Sequence, residues 1–234
     1  MPKLTFIGHA AFLLDDDEGN AVAIDPFVEH NPATRLTARD ITANTILLTH
    51  AHNDHVGDTV EIAKNNDAKV ICVVELGDWL EEQGVRDVVG VNHGGTVGFA
   101  GGTVKIVPAW HSSSFTTENG VVAPGVPAGL VVRFGGRTFY FAGDTALFGD
   151  MQLIGELYSP DVALLPIGDR LTMGPLEAAH ATRLLGVEHV VPIHYSPDVM
   201  PIFTGTPEKF QELVAEIAPN ATVHVMEPGD DLAS

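Results

Sequence analysis

The 234-residue chain has a single cysteine, which excludes an internal disulfide bond. That residue, Cys72, lies in the apolar run 70–74, and a run of this kind is typical of a buried strand. Free cysteines pack in cores more often than they react, so we expect Cys72 to be a core residue. Without disulfides, the default location is the cytoplasm.

Basic residues are scarce: 12 Lys and Arg stand against 31 Asp and Glu, and the formal net charge is −19. A field of this sign repels polyanions, because phosphate backbones are bound by clusters of Lys and Arg. The chain has no basic run and no basic stripe with interleaved aromatics. Nucleic acid is therefore disfavoured as a partner, although a bound metal ion would add a local positive centre.

Long hydrophobic runs are also missing. No stretch approaches the roughly 18–20 apolar residues that span a bilayer. Residues 1–6 lack the basic region and the long apolar segment of a secretory signal. We therefore expect a cytoplasmic protein without a membrane span.

What the chain does contain is ample apolar material, 45% of its residues, and a regular succession of short strands and longer helices. Strand patterns dominate both halves, helical patterns lie between them, and no linker or repeat divides the chain. These features predict a single domain over residues 1–234 with an α/β fold and mixed sheets.

One segment of ten residues, 49–58, carries three imidazoles and two carboxylates. His50, His52, Asp54 and His55 follow an apolar run, so they are predicted in a loop at the carboxyl end of a buried strand. Imidazole and carboxylate are ligands of Zn²⁺ and its first-row neighbours. A chance cluster in a polar turn is the alternative, but clustering these groups without a metal costs desolvation energy.

Three further predicted strands, all mainly apolar, are each followed by a potential ligand. These ligands are His111, Asp144 and His194. Near the amino terminus, His9 interrupts two strands, and Asp25 ends a third. Asp25 either accepts a hydrogen bond from a ligand imidazole or caps the turn before a proline.

The spacing His50-x-His52-x-Asp54-His55 resembles the HxHxDH signature of the metallo-β-lactamase superfamily. The contexts of the three later ligands resemble the remaining ligand motifs of that superfamily, in the expected order, so the resemblance covers residues 6–194. It implies a four-layer αββα sandwich, the metallo-β-lactamase fold.

Two shorter segments narrow the resemblance. Gly8-His9-Ala10 resembles a pattern in the branch that includes ascorbate-6-phosphate lactonases and N-acylphosphatidylethanolamine phospholipases. Residues 172–175, Thr-Met-Gly-Pro, resemble a segment of the small bacterial and archaeal metal-dependent hydrolase group within this branch.

The resemblance also implies a dinuclear site with a complete ligand set. His50, His52 and His111 would hold the first metal ion and Asp54, His55 and His194 the second, with Asp144 bridging both. Zn²⁺ is the first choice for the two divalent ions, while Mn²⁺ or Fe fits the same ligands. Asp54 is a candidate general base besides ligating metal. His9 is a candidate contact to the substrate or an oxyanion, with a structural role as the alternative.

The implied reaction uses a hydroxide bridged between the two metals to cleave an ester, lactone or phosphoester bond in a small molecule. A nuclease or phosphodiesterase of the same superfamily is one alternative, but it would need a basic groove. A non-catalytic metal-dependent sensor or scaffold is another, because a complete ligand set predicts metal and not turnover. A di-iron redox centre of the flavodiiron type would need a flavodoxin-like domain as well. Related proteins are often oligomers, so a homo-oligomer is a further expectation.

Overall fold

The computed structural model describes residues 2–118 and 120–233, and within them sixteen strands and six helices. The strands are β1 Lys3–Gly8, β2 Ala11–Asp15, β3 Ala21–Ile24, β4 Thr45–Leu47, β5 Lys69–Val73, β6 Val88–Val91, β7 Thr96–Phe99, β8 Gly102–Pro108, β9 Phe115–Thr117, β10 Gly120–Val122, β11 Ala128–Phe134, β12 Arg137–Phe141, β13 Val162–Pro166, β14 His189–Ile193, β15 Thr222–Val223 and β16 Asp231–Ala233. The helices are α1 Asn53–Val56, α2 Thr59–Asn66, α3 Val74–Glu82, α4 Met151–Tyr158, α5 Pro175–Leu185 and α6 Pro207–Ile217.

Two seven-stranded sheets with the same internal plan form the middle of the molecule. The first has the strand order β16-β1-β2-β3-β4-β5-β6, and the second has the order β15-β14-β13-β12-β11-β8-β7. In the first sheet, β3 to β6 pair parallel and the strands on the β1 side pair antiparallel. In the second, β12 to β15 pair parallel and the strands on the β8 side pair antiparallel. Both sheets are therefore mixed, as the sequence predicts.

Alternation along the strands divides the apolar residues between two cores. In β12, Phe139 and Phe141 belong to the core between the sheets, where the Phe141 ring lies 6.0 Å from that of Phe12. Tyr140, between them, belongs to the second core, under α4, α5 and α6. Strands buried on both faces are continuous apolar runs in sequence. Cys72 is fully buried in the first core, as expected, and burial raises its pKa to about 12.

The helices cover the two outer faces, and the local sequence sets their ends. Both α5 and α6 begin with proline, whose fixed φ suits the first helical turn. Thr206 caps α6 by accepting a hydrogen bond from the Lys209 backbone N–H. Helices α2 and α3 pack on the first sheet, and α4, α5 and α6 pack on the second, which completes the four-layer αββα sandwich.

The longest helices of the described residues, α5 and α6, have 11 residues each. A membrane-spanning helix needs about 20 residues. Within residues 2–118 and 120–233, no helix is long and apolar enough to cross a bilayer.

Two regions differ from the sequence-based expectation. The sequence after Asp144 predicts a helix from residue 146, but α4 begins only at Met151, because the Ala146 backbone N–H donates to the Trp110 carbonyl and ties this segment to the β8 loop. A loop expected over residues 120–125 instead begins as β10, which forms a hairpin with β9. Neither difference moves the strand ends that carry the candidate ligands.

Candidate metal centre

Six strands end at one edge of the two sheets, and a polar side chain follows each of them within three residues. Strands β3 and β4 are parallel neighbours, with Ile24 opposite Leu47, so their following residues emerge side by side. Strands β12, β13 and β14 run parallel in the second sheet, so the residues that follow them also emerge side by side. The six strands β1, β3, β4, β8, β12 and β14 deliver His9, Asp25, His50, His111, Asp144 and His194.

Four donors form what we call the outer cluster: His50, His52, His111 and Asp144. His50 Nε2 lies 2.9 Å from His52 Nδ1, and His111 Nε2 lies 3.4 Å from Asp144 Oδ2. His50 and Asp144 are buried, while His52 and His111 are half-buried. Solvent therefore reaches the outer cluster through two of its imidazoles.

Four other donors form the inner cluster: His9, Asp54, His55 and His194. His9 Nε2 lies 3.0 Å from Asp54 Oδ2, and His194 Nε2 lies 3.5 Å from the same oxygen. The side chains of His9, His55 and His194 are 0%, 0% and 1% exposed, against 21% for Asp54. The inner cluster is therefore closed except at its carboxylate.

One helical turn, α1, places Asp54 and His55, where the sequence predicted a loop. The His52 carbonyl accepts hydrogen bonds from the backbone N–H groups of His55 and Val56, both at 2.9 Å. Because the turn begins directly after His52, that residue joins the outer cluster while Asp54 and His55 join the inner one. The single motif thus supplies both clusters.

Asp144 lies between the two clusters. On the outer side, its Oδ2 is 3.4 Å from His111 Nε2 and 3.9 Å from His50 Nε2. On the inner side, Oδ2 is 3.1 Å from His194 Nε2, and Oδ1 is 3.3 Å from His55 Nε2. The carboxylate therefore lies close to two imidazoles of each cluster. A ligand that bridges two metal ions would occupy this position.

Asp25 and Thr49 orient two of the imidazoles from behind. Asp25 Oδ2 lies 2.8 Å from His55 Nδ1 and accepts a hydrogen bond from the Thr49 hydroxyl at 2.6 Å. Thr49 Oγ1 in turn lies 3.0 Å from His50 Nδ1. Partners of this kind fix the tautomer and the ring orientation of metal-ligating histidines. Of the two alternatives for Asp25, the structure places it behind a ligand imidazole.

The serines that follow His111 support the outer cluster. Ser112 Oγ lies 3.3 Å from His52 Nε2. Ser113 is buried, and its Oγ accepts a hydrogen bond from the Ala51 backbone N–H at 3.1 Å. This serine run therefore ties the loop of the second sheet to the motif of the first.

Backbone strain concentrates at the site. His9, Asp25 and His194 have positive φ angles of 60°, 44° and 58°. Such a conformation costs a non-glycine residue about 1–3 kcal/mol and is held by surrounding structure. Gly143 has a φ of 62°, and a Cβ there would lie 2.8 Å from Thr49 Cβ. Only glycine lets the segment before the central carboxylate approach the first sheet this closely.

Burial dominates the electrostatics of the outer imidazoles. It lowers the pKa of His50 well below its ordinary value, with repulsion from the charge of His55 as the next cause. Burial likewise lowers the pKa values of His52 and His111. Metal ligation requires the neutral imidazole, so this environment favours the ligating form.

The carboxylates and imidazoles of the inner side shift one another's pKa values. Burial opposes the charge of Asp144, but His194 and His55 outweigh burial and hold its pKa well below the ordinary value. Burial also opposes the charge of Asp54, but the neighbouring imidazoles of His194 and His9 outweigh burial and lower its pKa. Burial opposes a charge on His194 too, yet Asp144 raises its pKa to about 9. The surroundings therefore favour positive charge between these groups.

The donor set fits divalent metal ions. His55 Nε2, His194 Nε2 and Asp144 Oδ1 are buried without a hydrogen-bond partner, which is uncommon for buried polar atoms. Neighbouring donor atoms lie 2.9 Å to 3.9 Å apart. Ligands around a cation with bonds of about 2.0–2.2 Å lie about 2.9–3.5 Å apart, so most of these separations match.

The structure brings every sequence-predicted site residue into one of the two clusters. The seven predicted ligands divide between them, and His9 lies inside the inner cluster. Histidines outside the predicted set lie elsewhere; for example, His189 and His224 face each other at 3.0 Å.

Two contributors to the site had little or no sequence signal. Thr49 was not predicted, although its place directly before the first motif histidine was an available clue. Phe203 was recognised only as a residue beside a site loop, but its ring lies 4.8 Å from that of His194 and 6.2 Å from that of His9. It closes the apolar side of the inner cluster.

The fold and the donor set together define a class of protein. Residues 20–195 match the family model described as the beta-lactamase superfamily domain. The chain therefore belongs to the metallo-β-lactamase superfamily.

Similar proteins match along nearly the whole chain. A UPF0173 metal-dependent hydrolase from Rubrobacter xylanophilus is 46% identical over 235 residues, which cover 99% of this chain and 96% of the relative. A protein of the same description from Geobacillus thermodenitrificans is 46% identical over 231 residues, 98% of this chain and 99% of the relative. The solved structure of Igni18, described as a novel metallo hydrolase from Ignicoccus hospitalis, superposes with a TM-score of 0.87 at 40% identity, covering 99% of this chain and 97% of that one.

Proposed function

We propose that this chain is a metal-dependent hydrolase that holds two divalent cations and cleaves an ester, lactone or phosphoester bond in a small molecule. One observation carries the proposal: eight donors from both sheets meet in two clusters around the carboxylate of Asp144. The names of the similar metal-dependent hydrolases support the same activity. Because both sheets supply donors, residues 1–234 would act as a single hydrolase domain.

The chain's own residues would position the reacting groups. Divalent cations held by the donors of the two clusters would supply Lewis-acid polarisation of the scissile bond and would lower the pKa of bound water. Asp144 would fix the separation of the two clusters. Asp54 is the one inner donor with appreciable exposure, 21%, so it is placed to orient the attacking water or to accept its proton. His9 Nε2 lies 3.0 Å from Asp54 Oδ2.

The substrate would approach from the outer side. His52 and His111 are half-buried there, and Trp110, directly before His111, is 67% exposed. The Trp110 backbone N–H donates to Thr145 Oγ1 at 2.9 Å, so the backbone is fixed while the indole stays free. An exposed aromatic ring on a fixed backbone suits a wall of the substrate site.

Charge and exposure favour this function over the two alternatives. A nuclease must attract a polyanion, and a net charge of −19 repels one. A metal-dependent scaffold needs no accessible donor, whereas Asp54 and two outer imidazoles reach the surface. A hydrolase of small molecules does not need to attract a polyanion, and its substrate needs exposed donors of this kind.

Zinc is the cation that we propose first. Six of the eight donors are imidazoles and two are carboxylates, a set that suits Zn²⁺ and is also compatible with Mn²⁺ or Fe. A cytoplasmic location and a homo-oligomeric state remain predictions from the sequence.

Reconstitution with Zn²⁺ or Mn²⁺ tests the proposal. The loaded protein is assayed with bis(p-nitrophenyl) phosphate, p-nitrophenyl acetate and a simple lactone, beside an Asp144→Ala variant whose metal content is measured. We expect turnover of at least one substrate, lost in the variant together with metal. Bound metal without turnover of any of the three would contradict a hydrolase of this substrate range, and absence of bound metal would contradict the site itself.

A further inference from the structure

His9 lies inside the inner cluster rather than at the mouth of the site. Its side chain has no exposed surface, and its Nε2 is 3.0 Å from Asp54 Oδ2. Its ring centroid is 4.2 Å from that of His194 and 6.0 Å from that of His55. A direct contact with substrate requires an exposed edge of the ring, so this position favours a different role.

The backbone holds His9 in place against strain. Its φ of 60° lies in the left-handed region, which is unfavourable for a residue other than glycine. The pairing register of β1 and β2 shifts just before it, between Phe6 and Gly8. The His9 carbonyl also accepts a hydrogen bond at 3.0 Å from the N–H of His194, whose φ is 58°. Two strained residues thus hold each other and bring their imidazoles together.

The distances between donor atoms are similar for His9 and for the predicted inner ligands. Asp54 Oδ2 is 3.0 Å from His9 Nε2 and 3.5 Å from His194 Nε2. Both values fall in the range of about 2.9–3.5 Å for neighbouring ligands of a cation with bonds of about 2.0–2.2 Å. One donor atom of His9 also lies within 4.8 Å of one donor atom of each of the other three inner residues.

We propose that His9 is a fourth protein donor to the inner metal position, for a divalent first-row cation. This inference rests on the proposed function, because it presupposes a metal in each cluster. With Asp144 shared, the inner position is then surrounded by three imidazoles and two carboxylates, against three imidazoles and one carboxylate at the outer position.

The same assignment makes the two positions unequal. The outer position has three imidazoles and the shared carboxylate, and its His52 and His111 face solvent. The inner cation is therefore the resident ion that exchanges slowly. The outer cation exchanges readily and is the one that meets the substrate.

Cadmium substitution tests the bond in the unaltered sequence. Protein with nitrogen-15-labelled histidine is loaded with cadmium-113, and we expect a one-bond metal–nitrogen coupling at His9 Nε2 as well as at His55 and His194. A His9→Asn variant assigns the signal, because asparagine tolerates a left-handed φ. Coupling at the other imidazoles but not at His9 would overturn the inference. Coupling at no histidine would contradict the proposed function instead.

Metal retention provides an independent measurement. Zinc-loaded wild type, His9→Asn and His30→Asn, an exposed histidine that serves as the matched control, are dialysed against a chelator and their zinc content is followed. Wild type and His30→Asn should release one zinc quickly and one slowly. In His9→Asn the slow release should become at least about tenfold faster, the lower end of the loss for a supporting residue. An unchanged slow phase in a variant with wild-type circular dichroism would refute the assignment.

Discussion

The outer and inner clusters have the same number of donors, but the exposed donors are imidazoles in the outer cluster and a carboxylate in the inner cluster. In the outer cluster, His111 is 13% exposed and His52 is half-buried, while Asp144 is 3% exposed. In the inner cluster, the imidazoles are closed off and Asp54 is the exposed member at 21%. Imidazoles thus face the entrance on one side of the site and a carboxylate faces it on the other.

This difference separates the holding of metal from the handling of substrate. A closed set of imidazoles suits a cation that stays in place, since nothing displaces its ligands. An open pair of imidazoles beside an exposed carboxylate leaves room for a substrate and for the water that attacks it. Changes to the shared carboxylate should therefore affect both clusters, whereas changes to the supporting residues should affect one.

Asp144→Ala should have the largest effect, because it removes the ligand shared by both clusters. We expect the metal content to fall in both positions. Activity should fall by well over about 100-fold, the upper value for a mere supporting residue. Metal analysis and kinetics on the same preparation check this. Asp144→Asn, which keeps the shape but lacks the charge, should behave similarly, and two retained metals in either variant would contradict the central position.

Asp25→Asn should weaken the inner cluster more than the outer one, because Asp25 contacts His55 directly and reaches His50 only through Thr49. The carboxylate lies 2.8 Å from His55 Nδ1, and an amide N–H in its place would face an imidazole N–H. We expect about 10–100-fold weaker binding of the slowly released metal, with a smaller change in the fast phase. Stopped-flow chelation resolves the two phases. If both phases change equally, the clusters are not separable in the way that their geometry suggests.

Ser112→Ala should weaken the outer cluster, and by less. Ser112 Oγ is 3.3 Å from a half-buried imidazole that can take a water molecule instead. We expect the affinity for the rapidly released metal to fall by no more than about tenfold, which is the lower limit for supporting residues. Ser114→Ala, two positions along the same loop, is the matched control. A larger effect on the slow phase would reverse the assignment of this serine.

His224→Gln should have the smallest effect and calibrates the acid response of histidines outside both clusters. Partial burial, followed by the neighbouring His189, lowers the pKa of His224 below its ordinary value. The unfolded chain therefore binds more protons below about pH 6.5, and stability falls as the pH drops through that value. The variant should lose this part of the acid sensitivity, a shift in melting temperature of about 1–2 °C at most. Thermal melts in chelator between pH 5 and 8, roughly the range where histidine titrates, measure it; an identical pH profile would contradict the shift.

The sequence predicts which residues meet at the site, because each strand that delivers one of them is an apolar run that ends within three residues of it. His111 and His194 can be recognised in this way, since a buried run fixes where the strand ends and its parallel neighbours fix the shared edge. Membership of His9 in the inner cluster was not predictable by the same reasoning. It depends on the register shift between β1 and β2 and on a left-handed backbone, and neither has a period or a composition that marks it.

Local and distant contacts explain the other differences. The turn α1 was missed because four residues are too few for a helical pattern to be visible. The late start of α4 depends on the hydrogen bond of Ala146 with Trp110, a contact between segments far apart in the chain. The support of His50 by Thr49 depends on Asp25, which a strand of the first sheet delivers.

The span of the donors along the chain has a consequence for biosynthesis. The inner cluster joins His9 to His194, and eighteen strands and α-helices of the described chain lie between these two residues. A site with contacts of such long range cannot nucleate folding, because closing so large a loop comes late. Hairpins such as β1–β2 and β11–β12 can form first. Under the proposed function, metal binding would therefore follow the folding of both sheets, and the supply of metal at that stage would set how much of the protein becomes active.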